Sequence, residues 1–138
     1  MKHILLIDDD LFFSKALGQF LIHCGYQVTT AHNGEVGLNK FHADPADLVI
    51  ADLVMPGKSG LDIIAELQAQ DPQPKLIVIS GGEERNLFRA RQLGVEHTFS
   101  KPFNTEEVLE VIEAELQGSH QSGHPHDTRR SPLVSPAC

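Results

Sequence analysis

Short aliphatic runs alternate along this chain with longer segments in which apolar residues recur at helical spacing. Five runs carry the strand pattern, at residues 2–8, 26–31, 47–52, 75–80 and 95–100. The centres of the first, third and fourth runs are apolar at every position, which is typical of strands buried on both faces of a parallel sheet. The fifth run carries the weakest strand signal. The pattern therefore predicts a parallel sheet covered by helices on both sides.

Five helices are predicted between and after these runs. Their apolar periods fall within residues 13–24, 36–41, 61–67, 87–93 and 108–116. Gly25 and Gly94 stand where a helix end favours a left-handed glycine, and Asn104 stands where a helix start favours a capping side chain. Strict alternation of strands and helices implies right-handed crossovers. We therefore predict an α/β fold of the flavodoxin-like type, a doubly wound five-stranded parallel sheet in the order 2-1-3-4-5 with five helices.

Length and composition predict one domain followed by a tail. A chain of 138 residues with 41% hydrophobic residues can bury one core but is short for two. We assign residues 1–117 to the domain. Residues 118–138 are rich in Ser, Pro, His and Gly and have no regular period, which predicts a disordered tail, native or derived in part from an expression vector. The spacing of His120, His124 and His126 permits metal binding, but a tail without fixed structure is the favoured interpretation.

Charge and hydropathy narrow the class of partner. The net charge of −8 argues against binding to nucleic acid or to anionic membranes, since both depend on clustered Lys and Arg. No run approaches the length of about 18 apolar residues that a membrane span needs. The start, MKHILLIDDD, reaches three aspartates before the hydrophobic region of a signal peptide can develop. We therefore predict a cytoplasmic protein whose partners are other proteins.

Polar residues stand at the carboxyl ends of four of the predicted strands. They are Asp8, Asp9 and Asp10 after the first, Asp52 in the third, Ser80 in the fourth and Lys101 after the fifth. In a doubly wound sheet these ends share one edge, and ligands bind there where the strand order reverses. Asp10 also directly precedes a predicted helix, so it fits a helix N-cap better than a metal ligand.

The carboxylates at this edge need a cation. Asp8, Asp9 and Asp52 would crowd one pocket, because the first and third strands are predicted neighbours about 4.8 Å apart. Two carboxylates about 4 Å apart repel by about 4 kcal/mol at an effective dielectric constant of about 20. Oxygen ligands without His or Cys favour Mg²⁺, or Mn²⁺, over zinc. Lys101 would add a further positive charge.

Four motifs lie in order at these strand ends. They are the acidic pair in LIDDD, the segment VIADLVMPGKSG, the hydroxyl residue in IVISGG, and KPF at residues 101–103. Together they resemble the receiver domain of two-component response regulators, including the single-domain kind found in chemotaxis and phosphorelays. Each motif is short, but the four in order are specific, and the resemblance covers residues 2–117.

The resemblance implies that the chain is a phosphoacceptor. Asp52 would accept a phosphoryl group from the phosphohistidine of a sensor histidine kinase or a histidine phosphotransfer protein. Asp9, Asp52 and the backbone carbonyl of Val54 would ligate Mg²⁺, and Asp8 would hold metal-bound water. The chain would catalyse its own phosphorylation and dephosphorylation, and it would not be an enzyme acting on a separate substrate.

The resemblance also assigns roles to the last two strand ends and to an output surface. Ser80 and Lys101 would contact the phosphoryl oxygens, and the Lys101–Pro102 bond would be cis. A downstream protein would bind the surface formed by the fourth helix, the fifth strand and the fifth helix. The arginines of the fourth helix are interpreted as a solvated face, with docking on that surface as the alternative.

One position departs from the family pattern. Three residues before Lys101, most receiver domains carry Tyr or Phe, and this chain has Thr98. We expect phosphorylation to be intact but its conformational coupling to be carried by Phe99 or His97, or weakened. A receiver-like scaffold that is never phosphorylated is therefore an alternative. A phosphohydrolase with an aspartyl nucleophile is a weaker one, because such enzymes place a second acid two residues after the nucleophile, where this chain has Val54.

Overall fold

The described part of the chain alternates between strands and helices throughout. The computed structural model describes residues 1–54, 59–81 and 84–117. The strands are β1 His3–Ile7, β2 Gln27–Ala31, β3 Leu48–Asp52, β4 Lys75–Ser80 and β5 His97–Ser100. The helices are α1 Leu11–His23, α2 Gly34–Ala43, α3 Gly60–Gln68, α4 Glu84–Gln92 and α5 Thr105–Leu116. Every predicted strand and helix is present, and the predicted tail at residues 118–138 lies outside the described residues.

The strands form one sheet in the order β2-β1-β3-β4-β5, and each neighbouring pair is parallel. The predicted doubly wound topology is therefore confirmed. β1 lies between β2 and β3, and Ile7 near its end pairs with Ala51 of β3. Because parallel strands end at the same edge, the residues after β1 and at the end of β3 lie side by side.

Two apolar layers enclose the sheet, since successive residues of a strand point to opposite faces. Leu5 and Val49 pack on the side of α2, α3 and α4. Ile4 and Ile50 pack on the side of α1 and α5. All residues of β1 and β3 are buried, so the two strands that carry the acidic residues form a rigid central platform. β5, which has the weakest sequence signal, lies at one edge of the sheet and has no fully buried residue.

Helix ends follow the predicted punctuation. The side chain of Asp10 accepts a hydrogen bond from the Phe13 amide at 3.1 Å and caps α1. Asn104 caps α5 by accepting from the amides two and three residues further on, at 2.7 and 3.3 Å. Gly25 and Gly94 end α1 and α4 with φ values of 101° and 97°, which side chains rarely adopt. The N-cap interpretation of Asp10 is therefore confirmed.

A close backbone approach at Gly60 sets the start of α3 beneath the end of β3. A Cβ atom at Gly60 would lie 2.7 Å from the Cα atom and 2.8 Å from the carbonyl oxygen of Leu53. Leu53 directly follows Asp52, so the absence of a side chain at Gly60 allows α3 to begin against the strand end that carries this carboxylate.

Candidate functional site

Two carboxylates at the edge of the sheet are removed from water. Asp8, directly after β1, is 0% exposed, and Asp52, the last residue of β3, is 4% exposed. Asp9 is exposed at the rim. Since an ionised carboxylate in an apolar setting is unfavourable without a partner, the burial of two such groups requires compensation nearby.

Lys101 provides one part of that compensation. Its Nζ atom lies 2.9 Å from Asp8 Oδ2 and 3.1 Å from Asp52 Oδ2, so a single ammonium bridges the two buried carboxylates. Burial alone lowers the pKa of Lys101, but the contacts with Asp8 and Asp52 outweigh that effect and raise it. The Lys101–Pro102 bond is cis, as the resemblance implied.

The face of an aromatic ring also lies against this ammonium. The Lys101 Nζ atom is 4.2 Å from the centroid of the Phe13 ring, which is a cation–π distance. Phe13 in turn contacts Phe103 edge to face, with 5.5 Å between ring centroids. This role could not be predicted from the sequence, because Phe13 fits the apolar period of α1 like any core residue. The aromatic pair limits where the lysine side chain can lie.

Backbone amides fix the other oxygens of the two buried carboxylates. Asp8 Oδ1 accepts from the Asp10 amide and Asp52 Oδ1 accepts from the Val54 amide, each at 2.9 Å. Asp8 Oδ2 is buried and makes no hydrogen bond of acceptable geometry within the described residues, although the Lys101 ammonium is close. A buried oxygen left in this state is a point where a further cation would be stabilising.

The oxygen atoms at this edge fit a hard divalent cation. One carboxylate oxygen from each of Asp8, Asp9 and Asp52 lies within 4.8 Å of the others. Among the described residues, these three carboxylates face the single ammonium of Lys101, so negative charge is in excess. The donor set is oxygen only, which suits Mg²⁺ better than zinc. The residues present therefore fit the predicted magnesium site.

The electrostatic balance at Asp52 points the same way. Burial raises the pKa of Asp52 to about 6, and the charge of Asp8 adds to the rise, while the Val54 amide and Lys101 oppose it. Ionisation of Asp52 is thus less favourable in the metal-free protein than in water. A divalent cation beside the carboxylate would lower this pKa and favour the charged form.

The backbones of Ser80 and Lys101 are in direct contact. Ser80 ends β4 and is 1% exposed. The Lys101 amide donates to the Ser80 carbonyl at 2.9 Å, and the β3–β4 register pairs Asp52 with Ile79, the residue before Ser80. The structure therefore brings the ends of β1, β3, β4 and β5 to one place. Val54 lies at the rim, with 46% of its surface exposed.

The side chains on β5 divide between two faces. Thr98 accepts a hydrogen bond from Arg91 of α4 at 2.8 Å. Phe99 lies on the other face, 5.9 Å from Phe103 between ring centroids, and His97 contacts Glu115 of α5 at 3.0 Å. Thr98 therefore connects β5 to α4, whereas Phe99 and His97 connect it to the α5 side.

The fold and its site define a flavodoxin-like domain with a buried carboxylate pair, a bridging lysine and a site for a hard cation. Residues 4–113 match the family model for the response regulator receiver domain, and the chain belongs to this family. Receiver domains bind Mg²⁺ at an acidic pocket and take part in two-component signalling, and the cluster of Asp8, Asp9 and Asp52 is the corresponding acidic group here.

Two solved receiver structures are similar along most of the chain. The CheY-like receiver domain protein of Methanospirillum hungatei has a TM-score of 0.80 and 27% identity, covering 89% of this chain and 99% of that one. The response regulator TrrA of Thermotoga maritima, solved in complex with Mg²⁺ and BeF, has a TM-score of 0.77 and 33% identity, covering 84% and 100%.

Curated relatives are longer than this chain. The transcriptional regulatory protein CpxR of Klebsiella pneumoniae is 34% identical over 128 residues, which are 93% of this chain and 55% of CpxR. The chain thus spans about half the length of the curated relatives it matches first. Within the described residues, no helix combines the length and apolar character needed to cross a bilayer.

Proposed function

We propose that this chain is a Mg²⁺-dependent phosphoacceptor in which Asp52 takes a phosphoryl group from a phosphohistidine. The donor is a sensor histidine kinase or a histidine phosphotransfer protein. The observation that carries the proposal is the convergence of Asp8, Asp9 and Asp52 on one point with the Lys101 ammonium between the two buried carboxylates. Phosphoryl transfer needs this combination, because it depends on an aligned nucleophile and on positive charge around the equatorial oxygens.

The transfer exchanges one bond to phosphorus for another. A carboxylate oxygen of Asp52 attacks the phosphorus in line with the P–N bond of the phosphoimidazole. As the new P–O bond forms, the P–N bond breaks and the imidazole nitrogen keeps the electron pair. Lys101 and the Ser80 hydroxyl contact the transferred oxygens. In the second half of the cycle, a water oxygen attacks the same phosphorus and the bond between phosphorus and Asp52 breaks. Inorganic phosphate leaves, the water proton is lost to solvent and the Asp52 carboxylate is restored, so the chain promotes both steps on itself.

The proposed metal ligands are Asp9, Asp52 and the carbonyl of Val54, with Asp8 holding a metal-bound water. When bound, Mg²⁺ supplies positive charge to the phosphoryl oxygens, and Mn²⁺ can take its place. The oxygen-only cluster supports this assignment. So does the similarity to TrrA, whose structure contains Mg²⁺ and BeF.

The proposed output is binding to another protein in the cytoplasm through α4, β5 and α5. Phe88 of α4 and Leu93 just after it are 54% and 41% exposed, which gives this surface an apolar component. Phosphorylation biases the surface only to the extent that a partner binds its two conformations with different affinity. The net charge of −8 supports a protein partner over nucleic acid or an anionic membrane.

Intact mass spectrometry tests the acceptor directly. The protein is incubated with Mg²⁺ and acetyl phosphate, with EDTA replacing Mg²⁺ in a second arm. We expect the mass of one phosphoryl group on the wild type with Mg²⁺, and none with EDTA or on Asp52→Asn. Asp62→Asn is the matched control, because Asp62 is an exposed carboxylate in the first turn of α3, and it should be modified like the wild type.

The same experiment separates the alternatives. An unmodified wild type under conditions that phosphorylate a positive-control receiver would favour the scaffold that never takes phosphate. Equal modification of Asp52→Asn would place the acceptor elsewhere. Sustained release of inorganic phosphate from a generic phosphate ester, dependent on Asp52, would instead favour a phosphohydrolase.

A further inference from the structure

A second group of side chains that could ligate a metal lies near the amino ends of β4 and β5, away from the strand ends that carry Asp8 and Asp52. Glu96 directly precedes β5, His97 is its first residue, and Glu115 stands in the last turn of α5. One ligand atom from each of the three lies within 4.8 Å of the others. The group is separated from the Asp52 edge by the length of β4, about 16 Å at about 3.3 Å per residue. It therefore has no part in the acidic site described above.

The spacing of its best-defined pair suits coordination. His97 Nε2 and Glu115 Oε2 are 3.0 Å apart. Two ligand atoms that share a tetrahedral ion at about 2.0–2.1 Å lie about 3.3 Å from each other, so a small movement is sufficient. The side chains are 29% and 23% exposed, which leaves them held in place but reachable from solvent.

The three side chains also line a cavity. Its volume is about 370 Å³, and its wall includes Gln68, Gly94, Glu96, His97 and Glu115. An ion held by the three protein ligands would still face this space, so water or a partner's side chain can complete its coordination. This open arrangement is what distinguishes the group from a simple ion pair that ties β5 to α5.

Lys75 is the group that competes with a metal ion here. Its Nζ atom lies 3.6 Å from Glu115 Oε1, on the carboxylate whose other oxygen contacts His97. The Lys75 side chain is 54% exposed and can turn into solvent when an ion arrives. The two glutamates carry more negative charge than the single Lys75 ammonium offsets, so the local charge favours a cation.

We infer that Glu96, His97 and Glu115 form a second metal site, selective for a first-row transition ion such as Zn²⁺. One imidazole nitrogen with two carboxylates is a zinc-type donor set, in contrast to the oxygen-only set at Asp8, Asp9 and Asp52.

Isothermal titration calorimetry with Zn²⁺ in excess Mg²⁺ tests the site. Excess Mg²⁺ occupies the carboxylate-only cluster. The full chain is used with His120, His124 and His126 replaced by Gln, because these tail histidines can bind zinc by themselves. In this background we expect one zinc-binding step that is weakened about tenfold or more by His97→Gln and by Glu115→Gln. The step should persist unchanged in Asp52→Asn.

Two further variants make the result decisive even if a ligand variant folds poorly. Lys75→Met should strengthen zinc binding several-fold, because it removes the competing ammonium without touching a ligand. Glu110→Gln, an exposed carboxylate on the same helix as Glu115, should leave binding unchanged. Absence of the zinc step in the background protein, equal affinity in folded His97→Gln, or no gain in Lys75→Met would each overturn the inference.

Discussion

Replacing Asp52 with Asn removes a buried negative charge that destabilises the folded protein when no metal is bound. Asp52 is 4% exposed, and its carboxylate shares one ammonium with the buried Asp8. In the absence of Mg²⁺, the variant should be more stable than the wild type at neutral pH, although a group central to the proposed function is lost. This direction is opposite to the usual effect of altering a buried polar residue.

The magnitude follows from the titration of the same group. The pKa of Asp52 is raised from 3.8 to about 6, so the folded chain binds more protons than the unfolded chain between these values. The stability that this group contributes is therefore present at low pH and is lost as the pH rises from about 4 through about 6. The difference between the pKa of Asp52 in the folded and unfolded chain corresponds to about 3 kcal/mol in the free energy of unfolding at neutral pH. The amide nitrogen introduced by the substitution cannot accept a hydrogen bond from Lys101, and this loss offsets part of that free energy. We therefore expect the free energy of unfolding of the variant to exceed that of the wild type by about 1–3 kcal/mol.

Urea denaturation of both proteins in EDTA provides the measurement. The free energy of unfolding of Asp52→Asn should exceed that of the wild type at about pH 7.5, and the difference should fall to about half at about pH 5. Mg²⁺ at ten times its dissociation constant should add about 1.4 kcal/mol to the wild type and less to the variant. Glu110→Gln, at an exposed position of α5, serves as a control without this pH-dependent difference.

Two outcomes would refute this reasoning. A variant no more stable than the wild type at neutral pH without metal would mean that the Lys101 ammonium already balances both buried carboxylates. A gain that stays constant from about pH 5 to about pH 7.5 would mean that the effect arises from packing and not from the charge of Asp52.

Three further changes have distinct expected results. Lys101→Met should lower the free energy of unfolding at neutral pH by about 3 kcal/mol or more, because it leaves two buried carboxylates facing each other. A loss under about 1 kcal/mol in urea denaturation would contradict this. Asp10→Ala should lower the free energy of unfolding by about 1 kcal/mol through loss of the α1 cap while leaving Mg²⁺ affinity unchanged in calorimetry, and a weakened affinity would make Asp10 part of the metal site. Thr98→Val should lower the free energy of unfolding by less than about 1 kcal/mol. It should also speed amide hydrogen exchange in α4, because it removes the hydrogen bond from Arg91. Unchanged exchange would show that this hydrogen bond does not stabilise α4.

The sequence was sufficient for the fold because its signals agreed with one another. Aliphatic runs, amphipathic segments and end glycines all indicated the same alternation, and alternation leaves few topologies. Strand ends differed by one or two residues, as at β5, which begins at His97 and not at residue 95. The residues at strand ends contribute too little to the apolar pattern for periodicity to define the boundary.

The site was predictable only as a set of residues sharing an edge. The rule that parallel strands end together brought Asp8, Asp52, Ser80 and Lys101 into one place. It could not show that one ammonium contacts both buried carboxylates, or that Phe13 lies against it. Such contacts depend on how helices pack on the sheet and on side-chain rotamers, and short sequence motifs contain neither.

The proximity of Glu96, His97 and Glu115 could not be predicted from the sequence for a related reason. Glu115 fits the solvated face of an amphipathic helix, and the other two residues lie in the weakest predicted strand. Only the packing of α5 beside β5 brings the three within reach of one ion.

Because Lys101 follows β5, the site around Asp8 and Asp52 is complete only when β5 has folded onto the sheet. The Lys101 ammonium joins a residue near the start of the domain to one in the middle, while the lysine itself follows the last strand. A nascent chain that has not yet released β5 from the ribosome has both aspartates but lacks this cation. We therefore expect the proposed phosphoacceptor site to be complete only after β5 has docked on the sheet and Lys101 has reached both aspartates.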